Sequence, residues 1–384
     1  MNNKMTDLVG LGVALRKIDK LVVDLLAQRM RVAKQVEEFK HDRQQPIYRG
    51  ETESERMKQA HVWASGKKIG PSFAPFVRAL FYFIIGESCK TQMIQWQDAA
   101  HHAEKPEDEE AWYAKLKNNL IALAEQWAPI YDAEYDRGFS ATRAYKRFES
   151  DILSAEIALM KDRKVSLDIG CATGIQSLRL VEEYKFGEVI GFDISSAMIR
   201  QAKEKFDYIK SAKSRFEVRD VENGIPLADS SVSLVLMNFG TASDLRKVDE
   251  ILKEVRRVLI HDGIAFLSFY NRDALPYKME FLPWDTGLVA EINISKNCLD
   301  VHAPTGELLS IYARPYTTEE IEAIMPSGMS IRRMLAYPAI ASILPDEIFE
   351  DELVQKTVID IDKQLAETGY MQGAYLIAIA KKTS

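Results

Sequence analysis

The residues most suited to chemistry sit where apolar runs end. The stretch VSLDIGCATGIQSLRL reads as a strand over Val165–Ile169, a turn through Gly170 and Gly174, and then a helix. Gly170 permits a tight turn, and Gly174 lets backbone approach a ligand at the start of the helix. Ala172 stands where a dinucleotide fingerprint has its middle glycine, so the close approach that a diphosphate needs is blocked. Asp168, just before the loop, is placed to hold an ammonium group or to orient the loop. Asp193 closes the next apolar run, GEVIGFD, where an acid meets ribose hydroxyls in a doubly wound sheet. Asp220-Val221 follows the third run, beside a purine edge, and Asn238 follows the fourth. Four consecutive strand ends thus carry polar groups on the side where such sheets bind ligands.

Those residues need an alternating strand–helix frame, and the pattern supplies one after Lys164. VSLDIG, EVIGFD, RFEVRD, VSLVLMN and GIAFLSFY alternate with helical segments, the signature of an open, mostly parallel sheet. Thr317-Thr318-Glu319-Glu320 reads as a capping box opening a helix. GMSIRRML and GAYLIAIAKK read as two late strands, the last one antiparallel. The segment 271–316 is unusually long for a connection. It carries Trp284, Asp285, Glu291, Asn293, Asp300, His302, Arg314 and Tyr316, and is expected to form a lid and acceptor pocket. Tyr131 and Tyr135 are candidates to close over the bound ligand.

Residues 127–384 resemble a class I S-adenosylmethionine-dependent methyltransferase, on the strength of the loop Asp168-Ile169-Gly170-Cys171-Ala172-Thr173-Gly174, Asp193 and Asp220. The resemblance implies a Rossmann-like fold, strand order 3-2-1-4-5-7-6, and S-adenosyl-L-methionine as cofactor. It implies cofactor contacts at Asp168, Gly170, Ala172, Gly174, Asp193, Ile194, Asp220, Val221 and Asn238. Ser233 departs from the Asp that many members carry on strand four.

The first hundred residues read as helices instead. Leu15, Ile18, Val22, Leu25, Leu26, Val32 and Val36 recur at helical spacing between Val13 and Lys40, without Pro or an internal Gly. A second helix is expected over Thr52–Ser65 and a third over Phe73–Trp96, with Gly70-Pro71 between them. Arg29 and Lys40 are three turns apart on one side of the first helix, and Ser88 and Gln92 form an i, i+4 pair on the third. With Glu53 they form a polar set able to receive a small anion.

This segment resembles the all-helical chorismate mutases, whose relatives include isochorismate-pyruvate lyase. The resemblance is carried by LRKIDKLVVDLLAQRMRVAKQVEEFK, QQPIYRGETESER and VRALFYFIIGESCKTQ. It implies that Arg29 holds a substrate carboxylate, Lys40 and Gln92 the ether oxygen, Glu53 the ring hydroxyl and Ser88 a carboxylate, within an intertwined homodimer. Three positions depart from the family: Gly12 replaces the arginine that reaches the partner's site, Arg49 stands at a frequent Asp, and Thr52 at a frequent Arg.

The expected organisation is a helical domain over 1–98, a linker over 99–110 containing the polar run HHAEKPEDEE, and a methyltransferase domain over 111–384. The helical lead-in to that domain includes an amphipathic helix with Trp112, Leu116, Leu120, Leu123 and Trp127 on one face, then another over Phe148–Met160. A bifunctional enzyme acting on a chorismate- or prephenate-like anion is the first reading. The alternatives are a methyltransferase with a non-catalytic helical module, and formation of a carboxylated S-adenosylmethionine from prephenate.

Charge narrows the partners. Residues 1–98 hold 16 Lys and Arg against 11 Asp and Glu, whereas the remainder carries 34 against 46 and is strongly acidic. The acidic part lacks the basic track a nucleic acid requires. No apolar run approaches the length of a membrane span, and 3 cysteines are too few for a disulfide frame. A cytoplasmic protein without a structural metal is expected.

Overall fold

The computed structural model describes residues 8–41, 50–78, 80–81, 84–85, 88, 108–137, 139–209, 213–278, 292–293, 296–305, 307–344 and 346–383. They belong to two compact units, one drawn from the first 104 residues and one from the rest.

In the first unit, α1 runs unbroken over Leu8–His41 and α2 over Gly50–Ser65. Helical residues at 73–78, 80–81, 84–85 and 88 make up the described part of α3. The described core is thin and built of small residues: Ala33, Ala60, Ala64 and Ala74, with Ile85 as the one large buried side chain among them. Leu15, Leu21, Val23 and Leu25 of α1 are about 60% exposed.

The second unit opens with α4, Glu109–Trp127. Asp108 caps it, its carboxylate accepting from the backbone N–H of Glu110 and Ala111, both at 3.0 Å. The helix therefore starts inside the polar run expected as a linker. A short α5, Tyr131–Glu134, follows. Then α6 covers Ser140–Ala158, beginning eight residues before the expected Phe148. Its added first turns bury Ala141, Ala144 and Tyr145, small and aromatic packing that a search for aliphatic periodicity passes over.

The sheet contains β1 Val165–Ile169, β2 Glu188–Asp193, β3 Lys213–Val218, β4 Val232–Met237, β5 Leu259–Tyr270, β9 Met329–Tyr337 and β10 Tyr375–Lys382. Its order is β3-β2-β1-β4-β5-β10-β9, the 3-2-1-4-5-7-6 arrangement expected from the resemblance. The first five strands are parallel, and β10 is antiparallel to both neighbours. Side chains alternate between two cores. Leu234 and Leu236 face Tyr145, Phe148 and Leu153 of α6, while Val235 and Met237 face the other core. That second core receives the helix Val248–Val258 through Val248, Ile251, Leu252, Val255 and Val258 at helical spacing. The Thr317–Glu320 capping box is formed as expected and opens the helix Thr318–Ile324.

The long connection after β5 is partly described. It holds a three-stranded antiparallel sheet, β6 Ile292–Asn293, β7 Cys298–His302 and β8 Leu308–Tyr312. This small sheet packs on α4: Leu309 and Ile311 cluster with Leu123, and Cys298 and Tyr312 with Leu116. Among the described residues no helix is long and apolar enough to cross a membrane.

Candidate functional site

The carboxyl ends of β1, β2 and β4 border a cavity of about 290 Å³. In an open α/β sheet this is the side where loops splay apart and leave a crevice. Asp168, Gly170, Ala172, Asp193, Ile194, Asp220, Val221 and Asn238 all line it, so the sequence-derived set is assembled at one place. Gly174 adopts the left-handed region at φ +78° and caps α7, Ile175–Glu182, beside that wall. Gly170 is also left-handed, at φ +73°, and a Cβ there would stand 2.9 Å from the Thr241 methyl.

Two aspartates stiffen the loop. Asp193 accepts from the backbone N–H of Ala172 at 2.9 Å and of Ser195 at 2.8 Å. Asp168 accepts from the Ser177 hydroxyl at 2.6 Å. Burial pushes the Asp168 carboxyl up to about 7, and it also raises that of Asp193, against the pull of its backbone hydrogen bonds. Ser233 has a structural partner of its own: its hydroxyl donates to Asp162 at 2.5 Å.

The crevice is roofed by α4 and closed at one side by α5. Lys117 bridges Asp220 and Glu222, each at 2.7 Å, and the Tyr113 hydroxyl donates to Glu222 at 2.6 Å. Tyr131 and Tyr135 line the cavity with ring centres 5.9 Å apart. The Asp132 carboxylate between them meets Lys205 at 2.7 Å and accepts from the Thr173 hydroxyl, tying α5 to the glycine loop.

Two acids that the sequence did not single out also face the cavity. Glu149 of α6 accepts from the Tyr145 hydroxyl at 2.8 Å and the Phe239 N–H at 2.9 Å; burial holds it at about 7. Asp244, against Tyr270, is lifted by burial to about 8. A signal existed for Glu149, because a carboxylate on the same helix face as Tyr145 and Phe148 must be buried. Asp244 lies in a turn with no periodicity to mark it.

The connection after β5 is described only in part. Of its described residues only Tyr312 lines the cavity. Asp300 accepts from Ser310 at 2.5 Å, and Tyr316 is fully buried, edge-on to Phe269 at 5.3 Å. Arg314 stacks over Tyr316 at 4.6 Å. These are packing and framework contacts. Trp284, Asp285 and Glu291, and the side chains of Asn293 and His302, lie outside the described residues.

An S-adenosylmethionine cofactor fits the donor set. Five carboxylates line the cavity (Glu149, Asp168, Asp193, Asp220 and Asp244) against the cations Lys117 and Arg219, matching a ligand that carries a sulfonium and an ammonium. The buried Asn238 Oδ1 has no partner and is open to a ligand donor. Ala172, left-handed at φ +46°, lines the cavity with a side chain where a dinucleotide fingerprint has glycine.

In the first unit, Arg29 and Ser88 come together. The Arg29 guanidinium donates to the Ile84 carbonyl at 3.1 Å and to the Ser88 hydroxyl, which in turn donates to the Ile84 carbonyl at 2.7 Å. Lys40 and Glu53 fall on α1 and α2, with their side chains outside the described residues; Gln92 and Arg49 lie outside them altogether, as does the side chain of Thr52. Gly12 lies within α1, and Nη1 of Arg16 is 3.9 Å from the position a Gly12 Cβ would take.

Comparison with known proteins agrees with this division. Residues 13–93 match the chorismate mutase type II family, and residues 167–263 match a methyltransferase domain family. The chain is 29% identical over 164 residues to a ubiquinone/menaquinone biosynthesis C-methyltransferase of Campylobacter jejuni, covering 41% of this chain and 66% of the relative. It is 28% identical over 176 residues to a malonyl-[acyl-carrier protein] O-methyltransferase of Nitrosospira multiformis, covering 41% and 53%. The chain thus spans about half to two thirds of these curated relatives. Among solved structures, an S-adenosylmethionine-dependent methyltransferase from Mesorhizobium loti aligns with TM-score 0.39 and 14% identity, over 60% of this chain and 96% of that one. The chain joins a chorismate mutase type II domain to a class I S-adenosylmethionine-dependent methyltransferase domain.

Proposed function

We propose that the chain couples two steps of one small-molecule route: rearrangement of chorismate to prephenate, or binding of a related dicarboxylate, and methylation of a metabolite of that route. The acid-lined crevice beyond β1, β2 and β4 carries this reading. When bound there, S-adenosylmethionine supplies a methyl group already activated on a sulfonium. The protein's part is then alignment and exclusion of water. Asp193 offers its carboxylate to a ribose diol, with Ile194 beside it. Asp220 and Val221 border the adenine. Asp168, Gly170, Ala172 and Gly174 shape the amino-acid end, and Asn238 offers an acceptor. Glu149, buried and close to neutral in affinity for protons, is placed to receive a proton from an acceptor that must lose one.

In the helical domain, Arg29 and Ser88 hold a carboxylate, Lys40 and Gln92 the ether oxygen, and Glu53 a ring hydroxyl. An intramolecular rearrangement needs a compact conformer and cations beside the oxygen on which charge develops, and no covalent step. The exposed leucines and valines of α1 favour a homodimer through this domain. The Arg16 guanidinium beside Gly12 supplies a cation one turn from the place of the missing arginine.

The test incubates the whole protein with chorismate and S-adenosylmethionine, following loss of chorismate absorbance and the masses of the products. Loss of chorismate together with a methylated product is expected. No loss above background, with S-adenosylmethionine still bound, would remove the mutase half. It would leave the second reading, a dimerisation or ligand-sensing module, which Gly12 favours. A carboxylated cofactor mass would replace methyl transfer by consumption of prephenate.

A further inference from the structure

A second cavity, about 180 Å³ in volume, adjoins the first and shares Tyr135, Glu149, Gln176 and Asn238 with it. The charge of the lining reverses across that shared wall. Beyond it stand four cations, Arg143, Lys146, Arg147 and Arg179, against Asp136 and Asp151, with Glu149 in the wall itself. The first cavity holds an excess of carboxylates and suits a cationic ligand, whereas the second suits an anion. We propose that this recess binds the anionic end of the methyl acceptor, a small molecule bearing a carboxylate or phosphate group, and presents its other end to the crevice at Asn238. The proposal rests on the methyltransferase reading of the crevice and specifies the acceptor's class.

Four observations support it. Arg147 is exposed, and neither it nor Lys146 makes an ion pair among the described residues, so both charges are available to a ligand. The Lys146 ammonium donates to the Tyr135 carbonyl at 2.7 Å and lies 3.8 Å from the Tyr135 ring centre and 5.1 Å from that of Phe239, which holds it in the recess against Tyr135 of the shared wall. Burial holds Lys146 down to about 8, the state of a partly dehydrated cation that an adjacent anion would relieve. The shared wall also carries buried polar atoms without partners, Nε2 of Gln176 and Oδ1 of Asn238, a donor and an acceptor for the neutral middle of such a molecule. Arg179 is already engaged with Glu183, Tyr184 and Ser150, and Arg143 with Ser140, so these two set the field of the recess while Lys146 and Arg147 make the contact.

The test is calorimetry on the full chain saturated with S-adenosylhomocysteine, titrated with 4-hydroxyphenylacetate, its amide and phenyl phosphate. An anion is expected to bind about tenfold or more tightly than the amide, the effect of one charged hydrogen bond. The tighter of the two anions identifies the group as carboxylate or phosphate. Arg147→Gln and Lys146→Met should each remove most of that preference, with S-adenosylhomocysteine affinity read separately in each variant. Equal binding of anion and amide, no binding of either anion, or a preference that survives both substitutions would overturn the recess while leaving the crevice intact. Failure of the unmodified protein to take up S-adenosylhomocysteine would overturn the methyltransferase reading and the recess with it.

Discussion

The two domains solve the problem of building a site in different ways. The methyltransferase domain closes two cores within one chain, and the ends of its central strands converge on a crevice lined by residues of that same domain. Among its described residues, the helical domain has a thin core built mainly of alanines, leaves leucines and valines of α1 exposed, and brings Arg29 to Ser88 across helices. Parallel strands deliver their ends to a common edge whatever their side chains do, so a site there depends mainly on which residue ends each strand. Three helices have no such built-in edge, and their polar set depends on which faces meet.

The comparison can be broken first at Asp193. Its two backbone hydrogen bonds order the loop, and each charge-assisted bond is worth about 1.5–3 kcal/mol. Asp193→Ala should weaken S-adenosylmethionine binding by about a hundredfold or more by calorimetry, with chorismate turnover unaltered; undiminished affinity would detach the crevice from the cofactor. The mirror experiment is Arg29→Ala. Chorismate turnover should fall about a hundredfold, the scale of losing one charge-stabilising donor, while cofactor binding is preserved. A shared loss in either variant would show the two sites to be one functional unit.

A smaller effect sharpens the claim that the crevice depends on loop geometry. Gly170→Ala puts a Cβ on a left-handed residue and 2.9 Å from Thr241. The expected cost is about 1–3 kcal/mol in chemical denaturation of the methyltransferase domain, from backbone strain and overpacking together. Wild-type stability would mean that the loop relaxes without penalty.

The mildest effect is in pH. Burial raises Asp168 and Glu149 to about 7, and Asp244 to about 8, above their unfolded values near 4. Their contribution to the stability of the ligand-free protein is therefore fully present below about pH 4 and is lost as pH rises through 7–8. A cationic ligand favours the ionised forms, so S-adenosylmethionine affinity should rise a few-fold between pH 6 and 8, with proton release seen as buffer-dependent heats. Asp168→Asn should flatten part of that rise; an affinity that falls over this range would contradict the placement of a cation among these acids.

Much of the site was legible because strand ends are marked twice, by the end of an apolar run and by the glycine or acid that follows. Asp168, Gly170, Asp193, Asp220 and Asn238 were found in this way, and they line one cavity. Glu149 and Asp244 were not, because their importance comes from being buried by elements distant in sequence. Two residues of the connection after β5 escaped pattern for the same reason. Polar residues in a long segment look available to a substrate, but Tyr316 is core and Asp300 serves Ser310.

Local pattern alone was enough for the strands themselves, the Thr317 capping box and the glycine turn, since backbone conformation and the period of apolar residues are properties of neighbouring residues, whereas the strand order was expected from the family resemblance. Only the tertiary structure decided which carboxylates are dehydrated, that α4 and Tyr312 roof the crevice, and that Lys146 lines a basic recess sharing a wall with the acidic crevice. Burial and electrostatic surroundings are sums over everything packed nearby, and most of those neighbours are far away along the chain.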